Sequence, residues 1–174
     1  MSRIIYTNSD GTVSILQPIL TEINPNTGKA FTILEIAEKD VPVGISTYSI
    51  VEDSVIPTDR SFRDSWVGNG VGVSTATIVE DLTKAKEIHK TNIRNARIPK
   101  LAELDVDFQR ALETSADTSA IVAKKQTLRD APAASGISTA ASTADLKAQW
   151  DTTNLGTSPY LSLIHISEPT RPVT

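Results

Sequence analysis

The sequence predicts an α+β protein: a small N-terminal unit of β-hairpin and strands with one short helix, followed by a C-terminal module of helices. Three observations carry that reading. The opening IIYTNSDGTVSIL sets two β-prone runs, Ile4 to Thr7 and Thr12 to Leu16, either side of Asn8-Ser9-Asp10-Gly11, and Asp-Gly supplies the positive φ of a tight hairpin turn. Thr32-Ile33-Leu34-Glu35 has the form of a capping box, in which Thr32 and Glu35 satisfy the first amides of a helix. After Asp81 the pattern reads as helix alone, with apolar residues at three- and four-residue spacing.

Taken in order, the hairpin is followed by a Pro- and Asn-rich loop from Pro18 to Gly28 and a short helix running through Lys39. Asp40-Val41-Pro42-Val43-Gly44 stops that helix, and Thr47 to Glu52 reads as a third strand. Pro57-Thr58-Asp59-Arg60 is a turn into Ser61–Trp66. Val67 to Val73 holds three glycines in seven residues and reads as a hinge. Asp81 caps a long helix from about Leu82, broken or kinked near Pro99. Beyond the proline, Leu101, Leu104, Phe108, Ala111 and Leu112 form an apolar stripe. Thr114 to Thr118 is a polar loop, and a second helix spans about Ser119 to Leu128. Ala131 to Ala144 is rich in Ala, Ser and Thr and is expected to be a loop or weakly ordered. Thr143 then caps a last turn that puts Leu146 and Trp150 on one face. The organisation expected is an α+β domain over 1–66, a glycine-containing linker over 67–80, a helical module over 81–150 and a tail over 151–174.

Composition narrows the chemistry. The 174 residues are 39% hydrophobic and 5% aromatic, with a mean hydropathy of -0.13, which predicts a modest aliphatic core. No apolar run approaches the roughly 20 residues that span a bilayer, and the start is too short and polar for a signal peptide, so no membrane partner is expected. Cysteine is absent, which rules out disulfides, thiolate metal sites and cysteine nucleophiles. The net charge of -4 argues against a dedicated nucleic-acid binder.

Catalytic motifs are missing. No HExxH, GxSxG or Walker-type pattern occurs, and no cofactor or metal is expected. His89, between Ile88 and Lys90, has no nominated carboxylate or nucleophile, so a surface helix position is expected for it. Glu103, Asp105 and Asp107 point in different directions on a helix, unlike a metal cluster. Gly68, Gly70 and Gly72 lack the spacing of a phosphate loop and suggest a flexible linker. Lys86, Lys90, Arg94 and Arg97 fall at i, i+4, i+8 and i+11 and share a helix face. That stripe is either a surface for phosphate or an acidic partner, or a face that is solvated or docked on the acidic first unit, and the lack of interleaved aromatics favours the latter pair. Arg60, Phe62, Arg63 and Trp66 put two arginines and two aromatics within one short segment, a composition typical of interface hot spots and equally of a core anchor.

The string IPTDRSFRDSW, with KDVP before it, is similar to a pattern (IPsDRtFRnaW) of small proteins of tailed phages and prophages. The second half, from AKEIHKTNIRNARIPKLAELDVDFQRALE through AKKQTLRDAP to TADLKAQW, resembles the helical C-terminal module of phage tail or tail-fibre assembly proteins. Together these cover roughly residues 1–150. The resemblance implies a non-enzymatic tail accessory or assembly protein. Its partners would be a phage structural protein or its own copies, in the host cytoplasm or on the virion. The competing expectation is a small anti-defence protein that binds a host defence protein, such as a CRISPR effector, or sequesters a nucleotide signal. Leu161 to Pro172 closely resembles the translation of a transposase-based sequencing adaptor, read as LSLIHISEPTR. This implies that residues 161–174, with His165, are not native sequence, in a reading frame that ran into adaptor at the end of an environmental contig.

Overall fold

A computed structural model describes residues 1–161. The adaptor-like segment beyond Leu161, with His165, lies outside the described residues. The fold is α+β, as the sequence predicts, and the chain divides into two compact units, Met1–Ile88 and His89–Thr174.

In the first unit, β1 (Ser2–Thr7) lies between β2 (Val13–Leu16) and β3 (Tyr48–Glu52), antiparallel to both. The hairpin forms where the sequence places it, with Gly11 at φ +78°, a backbone geometry open to glycine at no steric cost. β1 has both edges paired and both faces covered by packed side chains, and Ile4, Ile5 and Tyr6 are all buried. Period-two alternation sends Ile5 to one side and Ile4 to the other. Ile5 packs with Val51, Trp66, Ala76 and Ile78. Ile4 packs with Ile36 and Ala37 of α1 (Ile33–Asp40). The capping box holds: Glu35 N–H donates to Thr32 Oγ1 at 3.3 Å, and Thr32 N–H to Glu35 Oε2 at 2.7 Å. α1 ends at Val41, one residue before Pro42, which cannot continue it.

Residues 67–80 are not a flexible linker. β4 (Trp66–Asn69) and β5 (Thr77–Glu80) pair antiparallel, from Trp66↔Glu80 to Asn69↔Thr77. Gly70 and Gly72, at φ +70° and +113°, turn the chain between them. Gly72 N–H donates to Ser49 Oγ on β3 at 2.7 Å, tying the turn to the sheet. Glycine enrichment marks backbone geometry here, where composition alone suggests mobility.

The helix α2 (Leu82–Glu113) begins as expected, with the Asp81 carboxylate accepting from Thr83 N–H at 2.9 Å and Lys84 N–H at 3.2 Å. Of the break or kink expected at Pro99, the break does not occur: α2 runs through the proline as one element. Proline removes one hydrogen bond, to the Asn95 carbonyl. Asn95 and Pro99 are both exposed, so that carbonyl is open to hydration. The boundary between the units falls inside α2, between Ile88 and His89, and not in the glycine stretch.

The second unit continues with α3 (Ser119–Asp130). The Ala/Ser/Thr-rich stretch after it is ordered, against expectation. A 3-10 turn over Ala131–Ala133 leads into α4 (Ser135–Thr139), and Pro132, Ile137 and Ala140 are buried. Small residues permit close approach: a Cβ on Gly136 would collide with the Gln149 side chain. α5 (Thr143–Ala148) is capped by Ser142, not Thr143, with Asp145 N–H donating to Ser142 Oγ at 3.1 Å. Residues 151–160 are not a tail. Asp151 caps α6 (Thr152–Leu155) by accepting from Thr153 N–H at 3.0 Å and Asn154 N–H at 3.1 Å, and Leu155 is buried.

Candidate functional sites

The segment from Pro57 to Trp66 is shaped by local bonds. Ser61 N–H donates to Asp59 Oδ1 at 3.0 Å, and Arg63 N–H to the Arg60 carbonyl at 3.1 Å. A 3-10 turn over Arg63–Ser65 follows, in which Ser65, itself buried, donates from both N–H and Oγ to the Phe62 carbonyl, at 2.8 and 2.7 Å. These bonds point the four sequence-selected residues two ways. Phe62 and Trp66 are 1% and 2% exposed, so their aromatic surface belongs to the core and not to a partner. Arg60 and Arg63 are exposed. With Arg3, Asp53, Ile15, Ile56 and the edge of Trp66 they line a cleft of about 190 Å³.

The electrostatics of this cleft are uneven. Arg3 donates from Nε to Asp53, and that bond, with the Arg3 charge, holds the Asp53 carboxyl below its ordinary range. Arg60 and Arg63 have no ion-pair partner among the described residues. Trp66 Nε1 is buried and has no hydrogen-bond partner among the described residues. The result is a small recess lined by Ile15 and Ile56 together with polar side chains, in which the exposed Arg60 also acts on the Asp53 charge.

The basic stripe is partly brought together in the second unit. Lys90, Arg94 and Arg97 line an open groove of about 390 Å³ with Pro132, Ala133, Ala134 and Ser138, while Lys86 is not among its lining residues. Sequence reasoning missed a fourth cation, Arg129, which α3 brings to the same groove. Arg97 donates from Nη1 to the carbonyls of Leu128, at 3.3 Å, and Arg129, at 2.7 Å, bracing the C-terminal end of α3. That satisfies carbonyls a helix end otherwise leaves open. No sequence signal links Arg97 to Arg129, because the pairing is tertiary.

His89 corrects the surface-helix expectation most sharply, since it is 0% exposed. Its Nδ1 lies 2.7 Å from the Tyr160 hydroxyl, and Asn92 Nδ2 donates to that hydroxyl at 3.2 Å. The hydroxyl accepts from Asn92, and its contact with Nδ1 is satisfied with either ring tautomer. The His89 and Tyr160 rings are 16° from parallel, and Trp150 meets both edge-on, at centroid distances of 6.1 and 5.9 Å. Trp150 Nε1 donates to the Gly156 carbonyl at 3.0 Å. His89 Nε2 is buried without a hydrogen-bond partner among the described residues.

This environment favours neutral rings. Burial lowers the His89 pKa from its ordinary 6.5, and burial, the larger effect, raises that of Tyr160 from 10.0 against the Asn92 hydrogen bond. Below pH 6.5 the unfolded chain takes up the His89 proton before the folded one, so stability falls with decreasing pH. Above pH 10.0 the unfolded chain loses the Tyr160 proton first, so stability falls again. Urea unfolding followed by tryptophan fluorescence is therefore expected to show an acid limb opening just below pH 6.5, before the carboxylates titrate. His89→Gln should flatten that limb, and an unchanged limb would refute the assignment.

The acidic residues named from the sequence are dispersed. Glu103 pairs with Lys100 at 3.3 Å, Asp107 with Arg110 at 3.7 Å, and Asp105 with Lys125. Among the described residues no group of three His, Cys, Asp or Glu side chains is placed to hold a metal ion, and no helix is long and apolar enough to cross a membrane. Comparison with protein-family models, curated proteins and solved structures returns no match to this chain.

Proposed function

We propose that the protein is a non-enzymatic docking protein of the tailed-phage tail or tail-fibre assembly kind, which binds a phage structural protein through the Arg60–Arg63 cleft. The observation that carries this is the recess itself: two exposed guanidiniums, without an ion-pair partner among the described residues, beside the apolar side chains of Ile15 and Ile56. Arginine at the rim of an apolar pocket suits a partner side chain that is acidic, with an apolar neighbour to fill the recess. The segment that builds the recess is IPTDRSFRDSW, the same string whose resemblance points to tailed phages. Phe62 and Trp66 serve this function indirectly, by holding the turn that presents the arginines.

Co-expression with tail and tail-fibre proteins of a tailed phage tests this. A complex that survives gel filtration is expected, and Arg60→Glu with Arg63→Glu should weaken it about tenfold or more by placing like charges against the partner. A tail-protein complex indifferent to the double variant, or stable binding to a host nuclease effector instead, would overturn the proposal.

A further inference from the structure

We infer that the groove between α2 and α3 is a binding site for a compact phosphate polyanion, the pyrophosphate unit of a nucleoside diphosphate or triphosphate or free pyrophosphate. Its lining holds four cationic side chains, Lys90, Arg94, Arg97 and Arg129, and no carboxylate. The chain as a whole carries 21 acidic and 17 basic residues, so this concentration of positive charge runs against the overall balance. Like charges gathered on one concave surface repel one another, and a bound anion relieves that repulsion. Arg94 and Arg129 are exposed and make no ion pair or side-chain hydrogen bond among the described residues. Arg97 is held in place by the Leu128 and Arg129 carbonyls, so part of the ordering cost of an anion site is already met.

Charge and shape select the ligand. Lys90 is already engaged within the protein, so the open charge is that of the arginines; a single carboxylate neutralises one of them, whereas pyrophosphate carries about three negative charges near neutral pH. Guanidinium forks match phosphate oxygens two at a time. A groove of about 390 Å³ falls within the range of small-molecule sites. The remaining walls are Pro132, Ala133, Ala134 and Ser138, with no aromatic side chain. Single-stranded nucleic acid binds on aromatic platforms, so the recognised feature is the phosphate chain and not stacked bases.

The test is calorimetric titration of the full chain at low ionic strength with pyrophosphate, ADP, orthophosphate and a short oligonucleotide. One saturable site for pyrophosphate is expected, about tenfold tighter than for orthophosphate. ADP should bind at least as well as pyrophosphate. Arg94→Glu with Arg129→Glu should weaken pyrophosphate about tenfold or more with an unchanged melting temperature. Arg94→Gln with Arg129→Gln provides the same readout without charge reversal, should the first variant misfold. Arg60→Glu with Arg63→Glu should leave pyrophosphate binding unaltered, which separates this site from the docking cleft. Absence of saturable binding, binding unaffected by either groove variant, or tighter binding of the oligonucleotide than of pyrophosphate would each overturn the inference.

Discussion

Ending the chain at Trp150 is expected to destabilise the second unit severely relative to a chain ending at Leu161. The deletion removes buried Leu155 and opens to water the apolar surface it covered, a loss of about 2 kcal/mol. It also removes the Gly156 carbonyl from the Trp150 indole, about 1 kcal/mol. Loss of Tyr160 takes away a hydrogen-bond partner of His89 Nδ1 and a ring packed against both His89 and Trp150, which adds about another 1 kcal/mol. Further cost comes from opening the otherwise buried His89 to water. Together these approach the lower end of the roughly 5–15 kcal/mol that holds a domain folded. Urea unfolding and amide exchange along the C-terminal half of α2 would measure it. Equal stability of the two chains would show that residues 151–160 are dispensable.

The second large effect is expected from Phe62→Ala. Phe62 is buried to 1% exposure, and removing a fully buried aromatic costs about 3–5 kcal/mol through lost transfer energy and the cavity left behind. Arg60→Ala, two residues away on the exposed side, should change stability by about 0.5 kcal/mol or less. Thermal unfolding of the two variants separates the roles: one holds the turn, the other faces outward. A stable Phe62→Ala protein that still failed to bind its partner would instead make Phe62 a contact residue.

Local signals transferred well from sequence to structure. The Asn8–Gly11 turn, the Thr32–Glu35 capping box, the stop before Pro42 and the Asp81 cap all act within one turn of chain. Nothing distant overrides them. The apolar stripe after Pro99 is also legible: Leu101, Leu104, Phe108 and Ala111 are half-buried, and only Leu112 is exposed. Errors came where composition stood in for geometry. Glycines over 67–73 suggested a hinge, yet the β-prone Thr77–Glu80 pairs back on Trp66–Asn69. Alanines and serines over 131–144 suggested disorder, yet small side chains let Gly136 and Gln149 pack closely.

The candidate sites divide along the same line. The Arg60–Arg63 cleft comes from one short segment and was half visible, since spacing alone does not tell which of Arg60, Phe62, Arg63 and Trp66 turn inward. The basic groove needed Arg129, which lies 32 positions from the Arg97 that binds its carbonyl. His89 looked like a lone surface histidine because its partner, Tyr160, lies 71 positions away, in a stretch without recognisable pattern. The sequence by itself determined the class of fold, the first hairpin, the third strand and where the first two helices begin, because caps, turns and periodicity are short-range. Only the tertiary structure decided which polar groups are buried and which cations share a groove, because those follow from packing between segments far apart in the chain.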